Sequence, residues 1–156
     1  MKIESLSYVS IETTDLQEWD DYAKNVVGLM KNESLSDDHN LYLRMDEKAF
    51  RFHIQTGGSK KFIAAGLNIR GKEEFEVAKN ELTSANIEFA DFSDELIAAR
   101  CVENGITLKD PAGNALEISY GGADADESFL SPQDIKGFIT KGLGFGHVVF
   151  AAPDLE

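Results

Sequence analysis

Residues Glu4 to Thr13 alternate, with Leu6, Tyr8 and Ser10 on one side and Ser7, Val9 and Ile11 on the other. A period of two predicts a strand. Asp15 follows as a side-chain N-cap with Glu18 three residues on. Leu16, Trp19, Ala23 and Val26 then recur at helical spacing up to Gly28, a natural left-handed C-terminal residue. Three short strands are predicted next, over Leu29–Leu35, Asn40–Met45 and Phe50–Gln55, with Asp37-Asp38-His39-Asn40 and Asp46-Glu47 supplying the turns. The order is strand, helix, strand, strand, strand.

That order then repeats. Phe62–Ile69 reads as a strand, and Lys72–Ala85 as a helix with Phe75, Ala78, Leu82 and Ala85 on one face and Asn86 as its left-handed cap. Strands are predicted at Glu88–Phe92, Ala98–Glu103, Ile106–Lys109 and Leu116–Tyr120, with turns at Asn104-Gly105 and at Asp110-Pro111-Ala112-Gly113-Asn114. From Gly121 to Ser131 the composition shifts to Gly, Ala, Asp, Glu and Ser, the signature of a linker. Aligning Tyr8 with His147 then places Leu6 on Phe145, Ile11 on Phe150, Asp15 on Asp154 and Leu16 on Leu155. Phe145–Glu156 therefore repeats the opening strand and the first residues of its capped helix. The expected organisation is an N-terminal domain over 1–122, built of modules 1–58 and 59–122, a linker over 123–141, and at 142–156 the first strand of a further domain that is cut short.

Composition narrows the function. The chain carries 28 Asp plus Glu against 15 Lys plus Arg, a formal charge of −13. Such a field repels a nucleic-acid backbone or an anionic bilayer. It serves solubility, or a cationic ligand. No window is long and apolar enough to span a membrane, and the N-terminus enters a strand pattern without a signal or transit peptide. Cys101 is the sole cysteine, so no internal disulfide can form. Together these features predict a cytoplasmic protein.

A tandem βαβββ module resembles the vicinal-oxygen-chelate superfamily, which includes glyoxalases, epimerases, bleomycin-resistance proteins and extradiol dioxygenases. Within it, Leu6-Ser7-Tyr8-Val9, Trp19 and Val27-Gly28-Leu29 are similar to the start of type I extradiol ring-cleavage dioxygenases of the dihydroxybiphenyl type. Leu108–Ile118 with Tyr120-Gly121 is similar to the end of their first domain, and Phe129-Leu130 with Phe138-Ile139-Thr140 to their connector. Gly142-Leu143-Gly144-Phe145-Gly146-His147-Val148-Val149 is similar to the opening strand of their second domain. The resemblance implies an α+β fold whose paired modules form an open, barrel-like cleft. It implies the non-catalytic N-terminal part of a homo-oligomeric enzyme that cleaves a catechol or dihydroxybiphenyl ring next to the diol with Fe(II) and O2. Two histidines and one carboxylate hold iron in that family, leaving open positions for both substrates. His147 stands where the first of these ligands stands.

The other two ligands have no counterpart in this sequence, so the chain alone is expected to be inactive and to bind no cofactor. The position equivalent to His147 is Tyr8 in the first module and Ala64 or a near neighbour in the second, and neither Tyr nor Ala is a normal iron ligand. Glu117 stands where single-domain relatives place a carboxylate ligand, and alternation turns it with Ser119 away from Leu116, Ile118 and Tyr120. Without histidines it reads as a vestige or a solvated cleft residue. His39 lies in an acidic turn and is expected in solvent, His53 on the polar side of a strand, and Cys101 as a small buried apolar group. Gly57-Gly58-Ser59-Lys60-Lys61 lacks the spacing of a phosphate loop. Two alternatives share the fold. One is a stand-alone binding protein of the bleomycin-resistance type with a cationic ligand. The other is a glyoxalase- or epimerase-type metal enzyme with its site built across a dimer.

Overall fold

The computed structural model describes residues 1–140 and 143–152. The alignment of Asp154 and Leu155 with the first helix falls outside the described residues. The elements run β1 (Ser5–Thr13), α1 (Leu16–Tyr22), β2 (Met30–Lys31), β3 (Asn40–Arg44), β4 (Phe52–Thr56), β5 (Lys61–Asn68), α2 (Lys72–Ser84), β6 (Phe89–Asp91), α3 (Asp94–Arg100), β7 (Asn104–Lys109) and β8 (Ala115–Tyr120). This is βαβββ twice, with α3 inserted in the second copy. Among the described residues no helix is long and apolar enough to cross a membrane.

The local signals act as expected where they are strongest. Asp15 Oδ1 accepts from the Glu18 amide at 3.0 Å and starts α1. The helix continues into a π-helical turn over Ala23–Val27 and ends on Gly28 at φ +83°. Asn86 takes φ +54° just past α2.

Other readings fail. Ala98–Glu103 is not a strand: Ser93 accepts from the Leu96 amide at 3.3 Å and caps α3, which ends on Cys101 at φ +50°. The chain therefore turns at Cys101–Glu103, and Asn104-Gly105 lies inside β7 and is not a hairpin turn. Phe145–Ala151 forms no strand either. The segment is held at its start by the Phe145 amide, which donates to the Leu6 carbonyl at 2.8 Å.

The chain divides into two compact units. One comprises Tyr8–Ile63 with the described part of Ala123–Leu143, and its strands are ordered β2-β3-β4-β1. Turn-connected neighbours run antiparallel, whereas β1 and β4 run parallel from Val9↔Phe52 to Thr13↔Thr56. Leu41, Leu43 and Ile54 form the core with Ala23 and Leu29, joined by Trp19, Phe52 and Phe138. The other unit comprises Met1–Ser7, Ala64–Gly122 and the described part of Gly144–Glu156. Its order, β5-β8-β7-β6, reproduces the first, with β5 and β8 parallel from Ala65↔Leu116 to Asn68↔Ser119. Phe75, Ala78 and Leu82 of α2 pack on Ile69, Ile106, Ile118 and Tyr120, as periodicity selects, whereas Ala85 lies past the helix end and is exposed.

The Gly-, Ala- and Asp-rich stretch after β8 is tied to the β1–β4 unit. The Ala49 amide donates to the Ala123 carbonyl at 3.0 Å, the Ala125 amide to Glu47 at 2.9 Å, and Ser131 Oγ to Gly28 at 2.8 Å. Arg44 is fully buried and donates from Nη2 to the Glu127 carbonyl at 2.7 Å and to Asp46 at 3.3 Å, and from Nε to Lys48 at 3.2 Å. A buried guanidinium is tolerable only when its donors are met. Replacing it by Met strips three carbonyls of a donor, a loss of about 3 kcal/mol or more. Arg44→Met is therefore expected to lower the midpoint of thermal unfolding, followed by circular dichroism, by roughly 10 °C.

Asp46 is the second clamp. Arg51 Nε lies 3.1 Å from both of its carboxylate oxygens, and Nη2 donates to Oδ2 at 2.7 Å. Burial pushes the Asp46 carboxyl up, but Arg51, Thr140 and the Lys48 amide together pull it down further, to below its ordinary 3.8. A depressed folded-state value means the stabilisation is complete above 3.8 and is lost as pH falls through the folded value. Acid titration of stability should accordingly show a steeper loss below pH 3.8 for the parent chain than for Asp46→Asn.

Candidate functional site

Parity along β8 directs Ile118 and Tyr120 into the apolar core. Glu117 consequently points to the opposite face, as alternation predicts, yet it is not solvated. It is 3% exposed and receives Arg100 as a fork, Nε to Oε2 at 2.7 Å and Nη2 to Oε1 at 3.0 Å. Arg100 is the last residue of α3, the element that a strand reading hides, and it is equally buried. A carboxylate whose two oxygens both receive a guanidinium fork is held as a structural ion pair and is poorly placed to bind a cation.

His53 is also buried, on β4. Its Nε2 lies 3.0 Å from Asn40 Oδ1 and its Nδ1 2.9 Å from Ser10 Oγ. Asn40 presents its amide nitrogen to Asp37, so Oδ1 faces the imidazole. An amide oxygen can only accept, which puts a proton on Nε2, while Nδ1 meets the Ser10 hydroxyl, a group able to donate or accept. The ring stacks on Tyr42 with centroids 4.6 Å apart. Both nitrogens are committed, and Ser10 is fully buried. The expected polar environment is present, but it is internal.

His39 is exposed in its acidic turn, as expected. Cys101 is partly exposed at the left-handed end of α3. Burial pushes its thiol above the ordinary 9.0, opposed by the Arg100 charge, so it is a poor nucleophile at neutral pH. His147 is exposed. Among the described residues, no three His, Cys, Asp or Glu side chains come together as a metal site. The donor chemistry agrees: His147 is a single exposed imidazole, and Glu117 and His53 are taken by protein partners. Among the described residues these side chains do not by themselves fit an Fe(II) centre with three protein ligands.

Comparison with known proteins gives this arrangement its context. Residues 6–57 match the family model described as dihydroxybiphenyl dioxygenase BphC D1. All of the chain is 35% identical to an iron-dependent extradiol dioxygenase of Rhodococcus jostii, and 99% of it is 35% identical to a biphenyl-2,3-diol 1,2-dioxygenase of Pseudomonas sp. KKS102. The chain spans about half the length of these curated relatives, 51% and 52%. A crystal structure of catechol 2,3-dioxygenase superposes on 99% of the chain with a TM-score of 0.92 at 30% identity, the chain covering 55% of it. That of BphC, a halotolerant catechol dioxygenase, superposes on 97% with a TM-score of 0.89 at 28% identity, with 51% of it covered. In fold and in sequence the chain is similar to extradiol dioxygenases, and its architecture is that of the vicinal-oxygen-chelate fold. In particular, it is similar from end to end to about half of enzymes of the biphenyl-diol and catechol type.

The Arg100–Glu117 pair sets up a direct test. Arg100→Met or Glu117→Leu alone leaves one buried charge without its counter-ion and should cost about 3–5 kcal/mol. The double replacement removes both charges and should recover most of that loss. Urea unfolding of the four proteins in a double-mutant cycle measures both values.

Proposed function

We propose that the chain is the N-terminal, non-catalytic part of a type I extradiol dioxygenase, and that the whole enzyme opens a catechol-type ring next to its two hydroxyls with Fe(II) and O2. The observation that carries this reading is the similarity along all 156 residues to about half of an iron-dependent extradiol dioxygenase. The residues that would complete an iron site lie outside this sequence, and His147 contributes one imidazole to it. The bound iron would supply the template on which catecholate and O2 meet. This chain's own contribution is structural. Its two βαβββ units bury their polar faces through satisfied pairs such as Arg100–Glu117 and Ser10–His53–Asn40. On this reading the chain alone holds no iron and turns over no substrate, and the parent enzyme is a cytoplasmic homo-oligomer. Catechol or dihydroxybiphenyl is the substrate class, since relatives carry the names 3-methylcatechol 2,3-dioxygenase and biphenyl-2,3-diol 1,2-dioxygenase.

The commitment of Glu117 to Arg100 weakens the alternative of a dimer-spanning metal enzyme, because it withholds the carboxylate such a site would use. The decisive experiment extends the chain with its natural downstream sequence. Incubated with Fe(II), O2 and catechol or 2,3-dihydroxybiphenyl, the extended protein should form a yellow ring-opened product. His147→Ala in that protein should reduce turnover below detection, since one of three ligands is lost. The 156-residue chain should give no product. Turnover by the chain alone, or an active His147→Ala enzyme, defeats the proposal.

A further inference from the structure

Two independent features meet at Gly144. Its φ is +69°, in the left-handed region, where a side chain is disfavoured. A Cβ built on it would lie 2.5 Å from the Leu6 carbonyl oxygen, 2.5 Å from Ser5 Cβ and 2.8 Å from Ser5 Oγ. One of these obstacles is backbone, which cannot move aside as a flexible side chain does. The next residue completes the contact, the Phe145 amide donating to that same Leu6 carbonyl at 2.8 Å. The main chain of 144–145 thus lies flush on the main chain of Ser5–Leu6, and glycine is what the approach admits. Gly146 provides a contrast: it also has positive φ, +118°, but nothing lies within 4 Å of its Cβ position.

Upstream, Thr140 is buried, hydrogen-bonds the Asp46 carboxylate, and accepts at its carbonyl from the Leu143 amide at 2.9 Å. Beyond the seat, Val149 is largely exposed and the described residues form no strand. Gly144 and Phe145 thus fix the chain three and two residues before His147.

We propose that Gly144 is a positioning residue. By lacking a side chain it lets the chain dock on the opening residues of β1, and that seat sets where the His147 segment leaves the N-terminal half. The docking stands on the geometry alone; its consequence for His147 rests on the function proposed above.

The seat is tested on the 156-residue chain by amide hydrogen exchange resolved at Phe145. Gly144→Ala should lower protection of that amide by about tenfold or more, through the combined cost of left-handed backbone and steric contact. Amides of Ile106 and Ile118 in the core should keep their protection. Gly113→Ala serves as the control, because it carries the same kind of positive φ, +86°, with nothing within 4 Å, and it should leave Phe145 protected. Unchanged Phe145 exchange in Gly144→Ala overturns the seat. So does an equal loss in Gly113→Ala, or a loss spread to Ile106 and Ile118, either of which signals general destabilisation.

In the extended enzyme, Gly144→Ala should reduce kcat with little change in KM if the seat positions His147. An unchanged kcat there overturns the positioning role and leaves the docking intact. If His147→Ala is fully active, the proposed function itself fails, a result separate from both.

Discussion

Strands joined by short turns run antiparallel, so a parallel pair inside a four-stranded βαβββ sheet must join strands separated by a longer connection. Here the parallel partners are the first and last strands of each repeat, β1 with β4 and β5 with β8. That single constraint orders the rest. The helix has to follow the first strand at once, because the chain must leave the sheet and return to its far side before β2 or β6 can pair. It also leaves one face of each sheet to be covered by that helix. Leu41, Leu43 and Ile54 meet the α1 region in one unit, and Ile106 and Ile118 meet α2 in the other.

The opposite parity then receives the residues with chemistry. Ser10, Tyr42 and His53 fall on it in the first repeat and Glu117 in the second, all of them buried. A buried polar group without a partner costs more than its hydrogen bond returns, so each must be met inside the protein. Ser10, His53 and Asn40 satisfy one another in a chain, and Arg100 supplies the fork that neutralises Glu117. These pairings account for groups that resemble ligands in type and yet have their coordinating atoms engaged. Arg44 follows the same rule with main-chain carbonyls as its acceptors, and through Glu127 it ties down a segment whose composition suggests a free linker.

Legibility in the sequence tracked how local each signal was. The amphipathic run from Phe75 to Leu82, the Asp15 cap and the left-handed Asn86 depend on neighbours within a turn or two, and all appear as read. The stretch from Ala98 to Glu103 reads as a strand in the sequence because its apolar residues show no clean period. The telling cues were Ser93 with Asp94 and Glu95 at a helix start and Arg100 in the last turn. Asn104-Gly105 looked like a turn because glycine favours one. Gly105 is instead required inside β7, where the Phe92 ring would lie 2.4 Å from a Cβ. The Arg100–Glu117 fork and the partners of His53 were out of reach, since they depend on how distant elements pack. Phe145–Ala151 shows the remaining limit: alternation defines two faces for a strand but supplies no edge for it to pair with.

The three positions aligned by the repeat carry this reasoning one step further. Tyr8 is buried against Phe50, with ring centroids 5.0 Å apart, and Ala64 is buried as well. In both repeats the position faces packed protein, where an imidazole would need two polar partners to be tolerated, as His53 has. A bulky ring or a methyl group fills the space without that demand. His147, the third aligned position, is exposed, so the requirement does not bear on it. The alignment thus separates two positions that contribute to packing from a third that carries an exposed imidazole. An exposed histidine at 147 meets no such demand, whereas a histidine at Tyr8 or Ala64 would have to be paired or would destabilise the unit that holds it.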